Sequence, residues 1–234
     1  MSVLAVDDYV GISFFITSMA LLAASIFFYM ERSNQKRKWQ LSMTVMVLVT
    51  FIAFVHYLYM RSLWIDLGES PISYRYIDWF ITVPLQIVEF YLILSVGSHV
   101  SPWVFWRLLL ASVLMLVFGY IGEAGLGDTM FYFTLGTASW LFILFEVFFG
   151  PASQRYDTLA NESVRLAFSC LRLIVTIGWA IYPIGYLYGY ADAQPNIDVL
   201  NLIYNFADFV NKIAFGLVIW YAATLDSGNL ESEL

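Results

Sequence analysis

The sequence predicts an all-α membrane protein, a seven-transmembrane-helix bundle with its N-terminus outside and its C-terminus in the cytoplasm. Three observations carry this. The 234 residues are 61% hydrophobic and only 12% charged, with a mean hydropathy of +0.74; soluble domains run at about 45–50% and about 25%. Seven apolar stretches reach the ~20 residues that a helix needs to cross a ~30 Å hydrocarbon core. Lys and Arg concentrate in alternate links between those stretches. Helices are the expected form because an open strand or loop would leave backbone groups unpaired in lipid.

In chain order the expected spans are 9–30, 39–60, 72–94, 102–121, 130–149, 164–188 and 199–224. The links between them are short and polar, so residues 1–234 are read as a single seven-helix domain. Basic loops stay in the cytoplasm. Arg32, Lys36, Arg37 and Lys38 follow the first span, Arg107 opens the fourth, and Arg155 and Arg165 follow the fifth. The other side holds Arg61 and mainly acids: Asp66, Glu69, Glu123, Asp128, Asp192 and Asp198. The segment from Met1 to Tyr9 carries two acids and no basic run, so it does not read as a secretory leader.

Composition also excludes. A net charge of −7 lies largely in links and termini, and no basic patch with interleaved aromatics is present, so nucleic acid is not an expected partner. The single cysteine, Cys170, rules out an intrachain disulfide and any zinc cluster of several thiolates, and no metal site is assigned.

Ionisable groups at membrane depth cost at least ~2.5–3.5 kcal/mol each on insertion scales, so a cluster of them points to function. The third span holds Arg75, Asp78 and Glu89; the seventh holds Asp208 and Lys212 one turn apart. Asp78 and Glu89 are 11 residues apart. At ~100° and ~1.5 Å per residue they share one face to within about 20° and stand roughly 16 Å apart along the axis. Arg75 and Asp78 then lie toward the outside, Glu89 toward the cytoplasm. Arg75 and Lys212 are expected to meet Asp78 and Asp208 in one charge-compensated cluster. Glu89, among apolar neighbours, is favoured in its neutral, protonated form by desolvation. A lysine amine at midspan is costly unless its chemistry is used, and imine formation with an aldehyde is such a use. Glu123 and Glu146, near helix ends, read as wetted surface or interface acids, with Glu123 a candidate for the release path.

The stretches Arg75-Tyr76-Ile77-Asp78-Trp79, Thr82-Val83-Pro84 and Asn205-Phe206-Ala207-Asp208-Phe209-Val210-Asn211-Lys212 resemble the third and seventh helices of microbial rhodopsins. Phe118-Gly119-Tyr120-Ile121-Gly122-Glu123-Ala124-Gly125 and Gly178-Trp179-Ala180-Ile181-Tyr182-Pro183 narrow the resemblance to the proteorhodopsins. It implies all-trans retinal held as a protonated Schiff base on Lys212. Asp78 would be primary counterion and proton acceptor, Asp208 second counterion, Arg75 the exit-side gate and Glu89 the cytoplasmic proton donor. His56, at the outer end of the second span, would partner the acceptor. Asp78, Thr82 and Glu89 follow the proton-pump pattern. Sodium pumps of the superfamily carry Asn, Asp and Gln there, and chloride pumps lack the first carboxylate.

The resemblance further implies a retinal box of Trp79, Thr82, Met115, Gly119, Trp140, Trp179, Tyr182, Pro183 and Tyr186, with Gln86 tuning the colour toward the blue. Phe133 replaces a glycine of antenna-carrying relatives, so no carotenoid antenna is expected. The implied protein is a light-driven outward proton pump, a transporter rather than an enzyme. It would lie in a bacterial inner membrane, with the lipid bilayer and protons as partners, as a homo-oligomer of five or six copies. Two other readings stay open: a retinal photosensor signalling to a partner, and a retinal-free solute carrier, which the absence of inverted-repeat signatures disfavours.

Overall fold

The computed structural model describes residues 4–95, 100–154, 161–190 and 196–228. Among them are seven membrane-length helical spans and no strand. They are built from α1 (Tyr9–Arg32), α2 (Gln40–Leu67), α3 (Ile72–Ser95), α4 (Pro102–Glu123), α5 (Thr129–Phe148), α6 (Glu162–Leu173) with α7 (Ile181–Tyr190), and α8 (Ile197–Ser227). Arg155 and Asp192, two of the residues that set the expected orientation, lie outside the described residues.

Local sequence explains where the helices start and stop. The side chains of Asp8, Asp128, Asn161 and Asn196 accept from the main-chain N–H groups of Gly11, Phe131, Val164 and Val199, each three residues on. Each satisfies a donor that the first turn leaves unpaired. Ser101 precedes Pro102, a residue suited to the first helical position because it has no N–H to satisfy. At the other end α2 stops at Gly68, whose φ of 67° only glycine adopts without strain. Where 39–60 is expected, α2 runs on to Leu67. The extra two turns carry Arg61, Ser62 and Asp66, so the helix outlasts its apolar stretch.

The sixth span departs most from a continuous helix. Between α6 and α7 a π-helical turn covers Ile174–Gly178. Pro183 lacks the N–H that would bond the carbonyl of Trp179, and the Tyr182 N–H takes it instead at 3.2 Å. Side chains from neighbouring helices bond carbonyls in the widened turn: Trp140 Nε1 donates to Val175 at 2.9 Å and Asn211 Nδ2 to Gly178 at 2.8 Å. At position 178 a Cβ would fall on Asn211 Oδ1, so any larger residue there would have to displace the Asn211 side chain that caps the turn.

The spans pack in sequence order around a ring that closes where α8 meets α1; α3 also touches α6, and α2 touches α8, across the interior. The third and seventh spans are the most buried, at 56% and 50% of their apolar windows, and the fourth and fifth the least, at 28% and 22%. The helices that carry the ionisable residues are therefore the ones most shielded from lipid. Exposed large side chains such as Phe51, Leu110, Leu141 and Ile177 are what a lipid-facing surface requires, because acyl chains solvate them as well as a protein core does.

Glu146 corrects its expected place as a wetted acid. Its side chain is fully buried and ion-paired to Arg107, whose guanidinium also stacks on Phe142. Arg107→Leu is expected to leave that carboxylate without a cation. With Arg107 29% exposed, the cost is about 1–3 kcal/mol, less than for a fully buried pair. Thermal unfolding in a fixed detergent, compared with the double variant Arg107→Leu, Glu146→Leu, checks it: the second substitution should recover most of the loss.

Candidate functional site

α8 presents Lys212 and α3 presents Asp78 to the same interior point. Lys212 Nζ is hydrogen-bonded to Asp78 Oδ2 and lies 3.1 Å from Asp208 Oδ2. All three side chains are buried. A buried cation between two carboxylates is tolerable only when its charge and donors are matched, and this arrangement matches them.

The two carboxylates are not equivalent. Asp208 accepts from four donors: Lys212, the hydroxyls of Tyr57 at 2.9 Å and Tyr182 at 2.7 Å, and Trp79 Nε1 at 3.1 Å. Among the described residues Asp78 has Lys212 alone at hydrogen-bond distance, and its Oδ1 has no hydrogen-bond partner. His56 Nδ1 stands 3.8 Å from that oxygen and 2.9 Å from the Ile52 carbonyl. As an N–H donor it therefore serves the carbonyl first and the carboxylate by proximity. Protonating Asp208 would forfeit several charge-assisted hydrogen bonds, each worth about 1.5–3 kcal/mol, whereas Asp78 has a bare oxygen ready for a proton.

Arg75 departs from its expected place. Neither carboxylate lies within ion-pair distance of it. Its Nη1 donates to Tyr57 at 3.1 Å, and Nη2 to Asn201 at 2.9 Å and Asn205 at 2.8 Å, with the guanidinium over the rings of Phe14 and Tyr204. The Tyr57 hydroxyl relays between Arg75 and Asp208. The cluster is thus a chain of hydrogen bonds rather than a four-charge knot. Tyr57, Asn201 and Asn205 are functional neighbours that sequence reasoning did not single out. A buried Tyr or Asn in an apolar helix carries no distinctive spacing, although Asn205 sits inside the motif that identified Lys212.

Glu89 is buried on the same face of α3 as Asp78, 11 residues on. Among the described residues neither of its oxygens has a hydrogen-bond partner of ordinary geometry, although the Ser42 side chain of α2 is close enough to influence it.

From Lys212 an aromatic slot runs between α3, α4, α5 and α7, with about 770 Å³ of atom-free space including its mouth. Of the residues expected to hold a polyene, Trp79, Gln86, Met115, Gly119, Trp140, Trp179, Tyr182, Pro183 and Tyr186 line it. Thr82 does not: its hydroxyl bonds the Asp78 carbonyl at 2.9 Å. Gly119 is needed where it stands, because a Cβ there would press on the Tyr76 hydroxyl. Phe133 closes the far wall beside Tyr186, with ring centroids 4.9 Å apart. Gln86 is buried, and among the described residues its Nε2 has no hydrogen-bond partner.

Fold and site together define a class: a multi-pass membrane protein whose buried amine, flanked by two carboxylates, opens onto an aromatic slot. Residues 8–225 match the family of bacteriorhodopsin-like proteins. The chain is 47% identical over 228 residues to the blue-light absorbing proteorhodopsin of Gamma-proteobacterium Hot 75m4, covering 97% of this chain and 90% of that protein. It is 48% identical over 225 residues to the green-light absorbing proteorhodopsin of Gamma-proteobacterium EBAC31A08, covering 95% and 90%. The solved blue light-absorbing proteorhodopsin from Med12 superposes with a TM-score of 0.84 at 51% identity, over 94% of this chain and all of that one. Xanthorhodopsin, described as a light-driven ion pump with dual chromophore, superposes with a TM-score of 0.81 at 26% identity, over 95% and 94%. The chain belongs to the bacteriorhodopsin-like family, and within it to the proteorhodopsins.

Proposed function

We propose that the chain is a light-driven outward proton pump that carries all-trans retinal as a protonated Schiff base on Lys212. The observation that carries the reading is the position of Lys212, a buried amine set between Asp78 and Asp208 at one end of an aromatic slot. The slot suits a polyene. Its walls are flat indole and phenol rings, its end is a primary amine, and its one carboxamide, Gln86, has an unpaired Nε2. Bound there, retinal supplies light absorption and photoisomerisation.

The protein's part is proton handling. Asp208 keeps its charge through four donors and serves as fixed counter-charge. Asp78 accepts at a carboxylate oxygen the proton leaving Lys212 Nζ. Glu89 holds a proton on the opposite side of the midplane and returns one to Nζ. Arg75 and Tyr57 close the path on the Asp78 side between turnovers. Transport follows because acceptor and donor lie on opposite sides of the same nitrogen. The chemistry is ion transport without a chemical conversion, so the chain is a transporter rather than an enzyme.

The excess of Lys and Arg in the α1–α2 and α5–α6 links supports an N-terminus outside and a C-terminus in the cytoplasm. That orientation makes pumping outward across a bacterial inner membrane. The similarity over nearly the whole chain supports one domain over residues 1–234. Assembly into rings of five or six copies is part of the same proposal, as the resemblance to proteorhodopsins implies. Gln86 beside the slot favours blue absorption, where overall identity to blue and green relatives does not discriminate.

Retinal-loaded vesicles illuminated in unbuffered medium test the reading: proton movement that a protonophore abolishes is expected, and its absence would reject it. Steady photocurrent without any transducer separates a pump from a sensor, and Glu89 favours the pump because a sensor needs no internal donor. Glu89→Gln is expected to leave the colour nearly intact but to slow return of the proton to Lys212 by on the order of 10²-fold. Flash photolysis measures this, and wild-type recovery would remove Glu89 from the donor role.

A further inference from the structure

On the lipid side of the bundle a groove runs between α4 and α5, lined by the small Ala111 and Ala138 and by the larger Trp106, Leu110, Leu114 and Phe142. It has about 1300 Å³ of atom-free space, its open side included. Its lining comes from these two helices alone, the spans least covered by the rest of the bundle. Arg107 stands at one end and Phe118 at the other, 11 residues further along α4. At ~1.5 Å per residue that is roughly 16 Å, about half of a ~30 Å hydrocarbon core. The groove is thus as long as one leaflet is deep. Beyond Arg107 its lining is apolar, since the one hydroxyl, on Ser139, is taken up by the Leu135 carbonyl at 3.0 Å.

Arg107 has donors left over. Its Nη2 bonds the Glu146 carboxylate, and its guanidinium lies over the Phe142 ring at 5.4–5.6 Å scale contact distance, printed as 5.5 Å to the centroid. Among the described residues its Nε and Nη1 have no hydrogen-bond partner. The Glu146 side chain is fully buried while that of Arg107 is 29% exposed, so the carboxylate lies behind the guanidinium and the free edge of the fork opens on the groove. Guanidinium carries five N–H donors in a planar fork that suits phosphate as well as carboxylate. Trp103 and Trp106, both exposed, set indoles at the same end, as tryptophan does at the headgroup level.

We propose that this groove binds one anionic phospholipid, its phosphate on the free edge of Arg107 and one acyl chain along Ala111 and Ala138. Charge selects the headgroup, and the one-leaflet length selects a single chain over a rod that crosses the whole membrane. In the orientation proposed above the lipid belongs to the cytoplasmic leaflet, the one rich in anionic lipids. The opposite face of the same two helices bounds the aromatic slot: Gly136 of α5 packs so closely on α4 that a Cβ would stand 3.4 Å from the Met115 carbonyl. A lipid seated outside would brace that seam. The site takes no part in the proton path, so it stands or falls apart from the pump reading.

Native mass spectrometry of the retinal-loaded protein in a non-ionic detergent, with phosphatidylglycerol or phosphatidylcholine of identical chains, tests this. One phosphatidylglycerol per chain should be retained, on the order of tenfold more than phosphatidylcholine, the scale of a charge-assisted hydrogen bond. Arg107→Gln should remove that preference. Ala138→Phe, at an exposed position, fills the groove without touching Arg107 or Glu146, and should remove the lipid even if the glutamine variant is unstable. Phosphatidylglycerol should also raise the thermal midpoint of the wild type and not that of Ala138→Phe. Equal retention of the two lipids by the wild type, or an unchanged lipid count in Ala138→Phe, overturns the proposal. A fall in the number of copies per particle in Ala138→Phe, with the lipid count unchanged, would assign the groove to a second copy of the chain and overturn it as well.

Discussion

Lys212→Ala is expected to give a protein that stays colourless when retinal is added and that moves no protons in light. The loss should be complete, because the amine is both the attachment point and the group whose proton is moved. Fold and function must be separated here, since the substitution strands two buried carboxylates, Asp78 and Asp208, whose shared cation is gone. Removing one partner of a buried pair costs about 3–5 kcal/mol, although Tyr57, Tyr182 and Trp79 still serve Asp208. Lys212→Arg keeps a cation in place without an amine able to form an imine. It should recover helix content and thermal stability by circular dichroism while remaining colourless. A visible band in either variant would place the chromophore elsewhere.

Asp78→Asn is expected to keep the pigment and abolish the transport. Light-driven acidification in vesicles should fall by at least on the order of 10²-fold, the scale of losing a positioned proton acceptor. The visible band should move and stop responding to pH in the range where the acceptor titrates. The choice between the two aspartates follows from their partners. Asp208 is committed to two phenols, an indole and the lysine, while Asp78 has an unoccupied oxygen. Asp208→Asn is therefore expected to disturb assembly and colour more than acceptance. Sustained pumping by Asp78→Asn would reverse the assignment.

Much of this was legible in the sequence, for reasons that differ by residue. Lys212, Asp208, Asp78 and Glu89 could be found because charge in an apolar helix is rare and costly, and because helical period places residues 78 and 89 on one face. The aromatic slot was legible only through resemblance: with aromatics at 19% of the chain, no single Trp or Tyr stands out by spacing. What the sequence hid were partners made by three-dimensional neighbourhood. Arg75 was expected on a carboxylate and stands on Tyr57, Asn201 and Asn205 instead, because neutral oxygens from α2 and α8 reach it first. Thr82 turns its hydroxyl to its own helix rather than to the slot. Glu123 and Glu146 sit where helix ends are usually wet, yet Tyr204 and Arg107, 81 and 39 residues away in sequence, cover them. The π turn at Ile174–Gly178 leaves no mark on hydropathy, since widening one turn of a helix does not change the apolar composition of the stretch.

The central claim is the covalent link at residue 212. The chain has three lysines, and the other two, Lys36 and Lys38, lie between α1 and α2. Reducing the retinal-loaded protein with borohydride and mapping the modified peptide by mass spectrometry reads that link directly. The account predicts a single retinyl adduct, on Lys212. An adduct on Lys36 or Lys38, or none on a coloured protein, would contradict it.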